Sequence, residues 1–274
     1  MKTRDIMRRY DEQEIVTHFR GLVFDDEYQE YLRFHCRRYS VLLAVIESCA
    51  RMLSDHIGSP CRRLLDVGPN FLTQYLRDTF PTFSIDSLGF EDHQFKCRDR
   101  DIHIEYDLTH TDNEASWPQA EPCDVIVMAE VIEHLPVSPS QVLSFLSRLL
   151  KQGGFLVIQT PNACSLPKRL RMLCGQNPYE MIRRESKQDP GHFREYTRQE
   201  LQTIAVASGF TVHSYFTANY FQGETFGSAV FGRLQWMIPE NLRDGSTMCL
   251  RKQGQQAETV KVHHFKCFDK IALV

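Results

Sequence analysis

From Asp25 to about Ile57 the apolar positions Tyr28, Leu32, Tyr39, Leu42, Leu43 and Ile46 recur at three- and four-residue intervals, with no proline before Pro60. That period predicts a helical N-terminal segment. The pattern then changes to short apolar runs separated by helix-length pieces, at 64–67, 83–88, 102–106, 124–129, 155–160 and 210–216. Such alternation predicts βαβ units and a parallel sheet covered on both faces. A late run at 247–251 suits an antiparallel edge strand.

Punctuation between the runs agrees with this reading. Ser138-Pro139-Ser140-Gln141 reads as a capping box with proline at the first helical position, and Gly153-Gly154 as the close of that helix before the strand FLVIQT. Thr197-Arg198-Gln199-Glu200 reads as a second capping box, opening a helix that Gly209 ends. The expected organisation is a helical segment or lid over 1–59, an α/β domain over 60–252 with an insertion at 161–190, and a tail at 253–274 without a clear pattern.

Composition narrows the partners. A net charge of −3 gives no global reason to expect nucleic acid. Nine cysteines at irregular spacing, without a CxxC pair, suggest neither a zinc site nor a disulfide framework. They fit a reduced, cytosolic compartment. The first residues, MKTRDIMRRYDEQE, hold no apolar signal core, and no apolar run approaches the roughly 18 to 20 residues that span a bilayer.

In open parallel sheets ligands gather at the carboxyl ends of the strands. The first strand end is Asp66-Val67-Gly68-Pro69-Asn70. Gly68 permits close backbone approach, and Asn70 tolerates a left-handed conformation. A dinucleotide turn would carry glycines near 70 and 73, where Asn and Thr stand, which weakens a nicotinamide oxidoreductase reading. Later strand ends supply Gly89-Phe90-Glu91-Asp92, Glu105-Tyr106-Asp107-Leu108, and the block MAEVIEHLP with Glu130, Glu133 and His134.

Together LLDVGPN, IEYDLTH, DVIVMAEVIEHLP, LLKQGGFLVIQTPN and GHFREYTRQELQTIAVASGF resemble class I methyltransferases dependent on S-adenosylmethionine (SAM), over roughly residues 60 to 216. The nearest flavour is the small-molecule and glycan-associated group that includes the quinone-type enzymes. The resemblance implies a Rossmann-like doubly wound sheet of seven strands, mostly parallel with the last antiparallel. It implies that Asp66 and Gly68 line the methionine end of SAM, with Asn70 a further cofactor-binding candidate in the same turn, that Asp107 and Leu108 meet the adenine, and that Glu130 sits beside the sulfonium or amino group. SAM has no pyrophosphate, which accounts for the sparse glycines.

One departure concerns the ribose. The family usually ends its second strand with an acid, whereas Gly89 stands here, with Asp86 inside the strand and Glu91 just past it. Glu91 is the favoured substitute. His192 is the candidate base for a hydroxyl acceptor, with His134 a weaker one that more often shapes its loop. The sulfonium is already activated, so no metal is required.

The insertion places Leu166, Leu170 and Leu173 on one helical face and Lys168, Arg169 and Arg171 elsewhere. With Arg183 and Arg184 these cations either solvate an amphipathic lid or meet an anionic small-molecule, glycan or lipid-linked substrate. The aromatic stretch 215–226 either lines a pocket or packs in the core. A non-catalytic SAM-fold binding module is the remaining alternative.

Overall fold

The computed structural model describes residues 12–20, 26–57, 63–91, 97–179, 181–183, 190–220 and 237–253. Seven strands form one sheet: β1 (Arg63–Val67), β2 (Ser84–Gly89), β3 (His103–Glu105), β4 (Cys123–Ala129), β5 (Leu150–Pro161), β6 (Phe210–Ala218) and β7 (Gly245–Lys252). Their spatial order is β3-β2-β1-β4-β5-β7-β6. β7 runs antiparallel to both its neighbours, and the pairings from β3 through β5 are parallel.

The central strands are apolar runs because both of their faces are covered. Side chains alternate between two core layers. Val125 and Val127 of β4 and Phe155 and Val157 of β5 join one layer, and Ile126, Met128, Leu156 and Ile158 join the other. Helix α1 (Glu12–Arg20) packs on α2 (Asp26–Ile57), and α2 lays Leu42, Leu43, Ile46, Cys49 and Leu53 into the first layer beside α3 (Phe71–Thr79). Cys49 Sγ lies 3.5 Å from Cys249 Sγ of β7, so the N-terminal helix rests directly on the sheet. The second layer receives α4 (Pro139–Arg148) and α6 (Arg198–Ala207). The short α5 (Leu166–Leu173) lies outside both.

Two punctuation signals act differently from expectation. Ser138 precedes α4, but its side chain makes no capping bond, because the Gln141 amide is taken at 3.0 Å by the Ser138 carbonyl. Gly153 and Gly154 lie inside β5 and do not close α4, which ends at Arg148. They form an irregularity in which Cys123 pairs with Leu150 and Val125 with Phe155. Gly153 has φ 75°, and a Cβ on Gly154 would fall 2.8 Å from the Asp124 carbonyl oxygen, so the bulge needs both glycines. The second box forms as expected: Thr197 caps Glu200, Glu200 returns the bond, and Gly209 follows α6 at φ 81°.

The chain leaves β1 through α3 to β2 on one side, while β4 pairs with β1 on the other. The crevice for a ligand therefore opens at the carboxyl ends of β1 and β4.

Candidate active site

Asp66 stands one residue before the end of β1, on the face that carries α3, and it is buried. Thr73 Oγ1 donates to its Oδ2 at 2.6 Å. Burial, opposed by that hydrogen bond and by Arg77 and Arg38, pushes its carboxyl up to about 7. Gly68 follows at φ 77°, and a Cβ there would lie 2.8 Å from Val131 Cγ2. The turn after β1 thus touches the turn after β4 across the crevice.

Asn70 is extended (φ −153°), not left-handed as its residue type suggests. Its Oδ1 accepts from Leu72 N at 2.8 Å, and Thr73 Oγ1 accepts from Asn70 N at 2.9 Å. The two positions where a dinucleotide turn would carry glycine instead form the capping box of α3. Tyr39 of α2 also reaches Asn70 Oδ1, at 3.5 Å.

Beyond β2 and β3 a cavity of about 590 Å³ is lined by Gly89, Phe90, Glu105, Tyr106, Asp107, His110 and Ser116. Asp107 accepts from Thr109 N at 2.9 Å and caps the 3-10 turn Leu108–His110, which fixes the cavity wall. Leu108 is buried in the second core layer. Gly89 is closed in from the side: a Cβ would lie 2.8 Å from Pro69 Cδ. Asp86 is buried and committed to the Arg63 guanidinium and the Ile102 amide. Glu91 is exposed beyond the strand end, and it is not part of the cavity lining.

The densest chemistry lies past β4. Glu130 has φ 55°, a conformation rare outside glycine and costly to hold, and its amide donates to the Gln159 carbonyl at 2.8 Å. Arg38, delivered by α2 and buried, places Nη1 3.8 Å from Glu130 Oε1. Glu133 is fully buried, and its Oε2 accepts from Thr160 Oγ1 at 2.9 Å. Burial raises both carboxyls; Glu130 raises Glu133 further, while Arg38 pulls Glu130 back.

His134 Nδ1 bonds the Gly191 carbonyl at 3.0 Å, and its Nε2 lies 4.0 Å from Glu133 Oε1. His192 stands edge-on to it with ring centroids 4.8 Å apart. The Nδ1 of His192 bonds Glu195 Oε1 at 3.0 Å, and Lys168 pairs with the same carboxylate. Burial raises Glu195, but its bonds with His192 and Lys168 outweigh that and leave it lowered. Both histidines are therefore held by an acceptor on the far side of the ring. Residues distant in sequence meet here because the segment before α6 returns over β4: the Phe193 amide donates to the Glu133 carbonyl at 2.8 Å.

Residues 44–215 match the family described as "Methyltransferase domain". The chain belongs to this family. Among solved structures, the plantazolicin methyltransferase BamL, in complex with a triazolic desmethylPZN analog and SAH, is 13% identical with a TM-score of 0.51, covering 89% of this chain and 97% of that one. A SAM-dependent methyltransferase from Archaeoglobus fulgidus is 18% identical (TM-score 0.46; 75% and 94% covered). The magnesium protoporphyrin IX methyltransferase ChlM from Synechocystis PCC 6803, with bound SAH, is 11% identical (TM-score 0.48; 88% and 94%). No curated protein matches by sequence. The fold is that of the class I methyltransferases, and by family the protein is a methyltransferase.

Sequence reasoning about this methyltransferase missed Arg38 and Glu195 and left Glu133 without a role. Arg38 lies four residues before Leu42, on the buried stripe of α2, where a cation needs a reason. The lid also differs from its expected form. No residue of α5 is buried, and Leu170 and Leu173 are exposed. Lys168 turns inward to Glu195, and Arg169 Nε donates to the Cys164 carbonyl at 2.9 Å. Arg184, the aromatic stretch beyond residue 220 and the tail from 254 lie outside the described residues. Among the described residues no helix is long and apolar enough to cross a membrane.

Proposed function

We propose that this enzyme moves the methyl group of SAM to a hydroxyl oxygen of a small-molecule, sugar or lipid-linked acceptor. In this reading the adenosine enters the cavity beside Asp107, and Glu91 reaches back to the ribose. The methionine end lies against Asp66 and Gly68 at the N-terminus of α3. The sulfonium then faces Glu130 across the crevice. Transfer is an in-line displacement, and the protein's work is to hold the acceptor oxygen behind the methyl group and keep water out.

The observation that carries the hydroxyl reading is the pair of anchored imidazoles, His134 and His192, beside Glu130 and Glu133 at the methyl end. A carbon or amine nucleophile has less need of groups that manage a proton, whereas a hydroxyl must lose one as the bond forms. Incubating the protein with methyl-labelled SAM and a panel of phenolic, sugar and polyprenyl-linked acceptors tests this. The expected product is an alkali-stable methyl ether. Label recovered only as N-methyl or C-methyl groups overturns the reading.

A further inference from the structure

We propose that Glu133, His134 and His192 form a binding site for a divalent transition-metal cation at the acceptor end of the crevice. Glu133, His134 and His192 each offer a donor atom, and these atoms lie within 4.8 Å of one another. A cation with bonds of about 2.0–2.2 Å holds neighbouring tetrahedral ligands about 3.4 Å apart. Side-chain rotations that move the donor atoms by on the order of 1 Å close the set.

Two independent features point to a ligand there. His134 bonds the Gly191 carbonyl through Nδ1, and His192 bonds Glu195 through Nδ1, each at 3.0 Å. A carbonyl or carboxylate behind the ring holds the proton on Nδ1 and the lone pair on Nε2, which is how metal-binding histidines are oriented. Glu195 is in turn fixed by Lys168. Glu133 Oε1 is buried without a hydrogen-bond partner, although Thr160 orients the other oxygen of Glu133. Two buried carboxylates side by side, with Arg38 as their near cation, are satisfied by a further positive charge.

The donor set decides the class of ion. Two imidazoles with a carboxylate suit Mn²⁺, Zn²⁺, Co²⁺ or Fe²⁺ better than Mg²⁺, which prefers oxygen ligands and keeps its waters. Three protein donors leave coordination positions free for an acceptor oxygen.

The chemical role rests on the hydroxyl reading above. Methyl transfer needs no metal at the sulfonium, so the cation acts on the acceptor. Bound to it, the hydroxyl loses its proton to water more readily. The oxygen lone pair forms the new C–O bond while the methyl–sulfur bond breaks, its electron pair passing to sulfur. The products are a methyl ether, S-adenosylhomocysteine and one released proton. His192 serves as a ligand in this arrangement.

The test uses full-length protein stripped with EDTA and titrated with Mn²⁺ and Zn²⁺ by calorimetry, with the Mn²⁺ electron spin resonance signal as a second readout. One saturable site per chain is expected, weakened about 10- to 100-fold in Glu195→Gln, which changes the partner behind His192 and removes the charge facing Lys168, and more in His192→Asn or Glu133→Gln. Circular dichroism checks that each variant folds. No saturable binding of either ion, or equal affinity in His192→Asn and wild type, overturns the site. A methyl ether made by metal-free enzyme at undiminished rate removes the cation's role and leaves the hydroxyl reading intact. Tight metal binding with only N-methyl products sustains the site and overturns that reading.

Discussion

The ring of Pro69 stands so close to Gly89 that a Cβ on Gly89 would lie 2.8 Å from Pro69 Cδ. The turn after β1 and the end of β2 are thus fitted as a pair: proline in one requires glycine in the other. Gly89→Ala is expected to lower stability by about 1–3 kcal/mol, because a proline ring has little freedom to yield. Adding Pro69→Gly relieves the contact and leaves only its own backbone cost. A double-mutant cycle by urea unfolding measures this; strictly additive effects would sink the pairing.

Asp66 makes the fold sensitive to pH. Its carboxyl is raised from 3.8 to about 7 by burial. Below about pH 4 both folded and unfolded chains hold the proton and no penalty applies. Between about 4 and 7 the unfolded chain ionises while the folded one keeps its proton, so stability falls as pH rises, by at most on the order of 4 kcal/mol. Above about 7 the penalty is constant. Asp66→Asn keeps an oxygen for Thr73 and escapes the penalty, so its melting temperature should gain on wild type from pH 4 to 8. Parallel melting curves across that range would refute the assignment.

Arg38 is the buried counter-charge of Glu130. Arg38→Met leaves that carboxylate uncompensated, a change that costs about 3–5 kcal/mol when the orphaned group stays ionised. Glu130 will instead take up a proton where pH allows, because loss of Arg38 raises it further. A raised carboxyl costs more stability as pH rises through its value, so the deficit should be larger at pH 8 than at pH 5. Chemical denaturation at the two pH values checks the sign.

Cofactor and acceptor functions separate by substitution. Asp107→Ala removes the cap of the Leu108–His110 turn and a wall of the cavity, and should weaken SAM binding by calorimetry. His192→Ala should reduce turnover by about a hundred- to ten-thousandfold while leaving SAM affinity nearly unchanged. Unaltered turnover would remove His192 from the chemistry.

The sheet was legible because parallel strands buried on both faces are written as uninterrupted apolar runs, and 64–67 and 124–129 can hardly be anything else. The strand ends that carry Asp66, Asp107 and Glu130 followed from them. What the pattern hid is what depends on distant partners. Nothing local to His192 announces that Lys168 and Glu195 will brace it, or that it will meet His134. Gly153 and Gly154 misled for a physical reason: a glycine with positive φ serves a helix end and a bulge equally well. Asn70 misled in the same way, since the side chain that tolerates a left-handed turn is also the one that caps a helix.

The stretch that matches the family begins at residue 44, part-way along the helix that runs from Asp26 to Ile57. Arg38 and Tyr39 stand before that point, yet one neutralises Glu130 and the other reaches Asn70. An excised catalytic piece cut at the family boundary would lose both and would sever the helix that covers one face of the sheet. Chimeras built from this enzyme should therefore be joined upstream of residue 26.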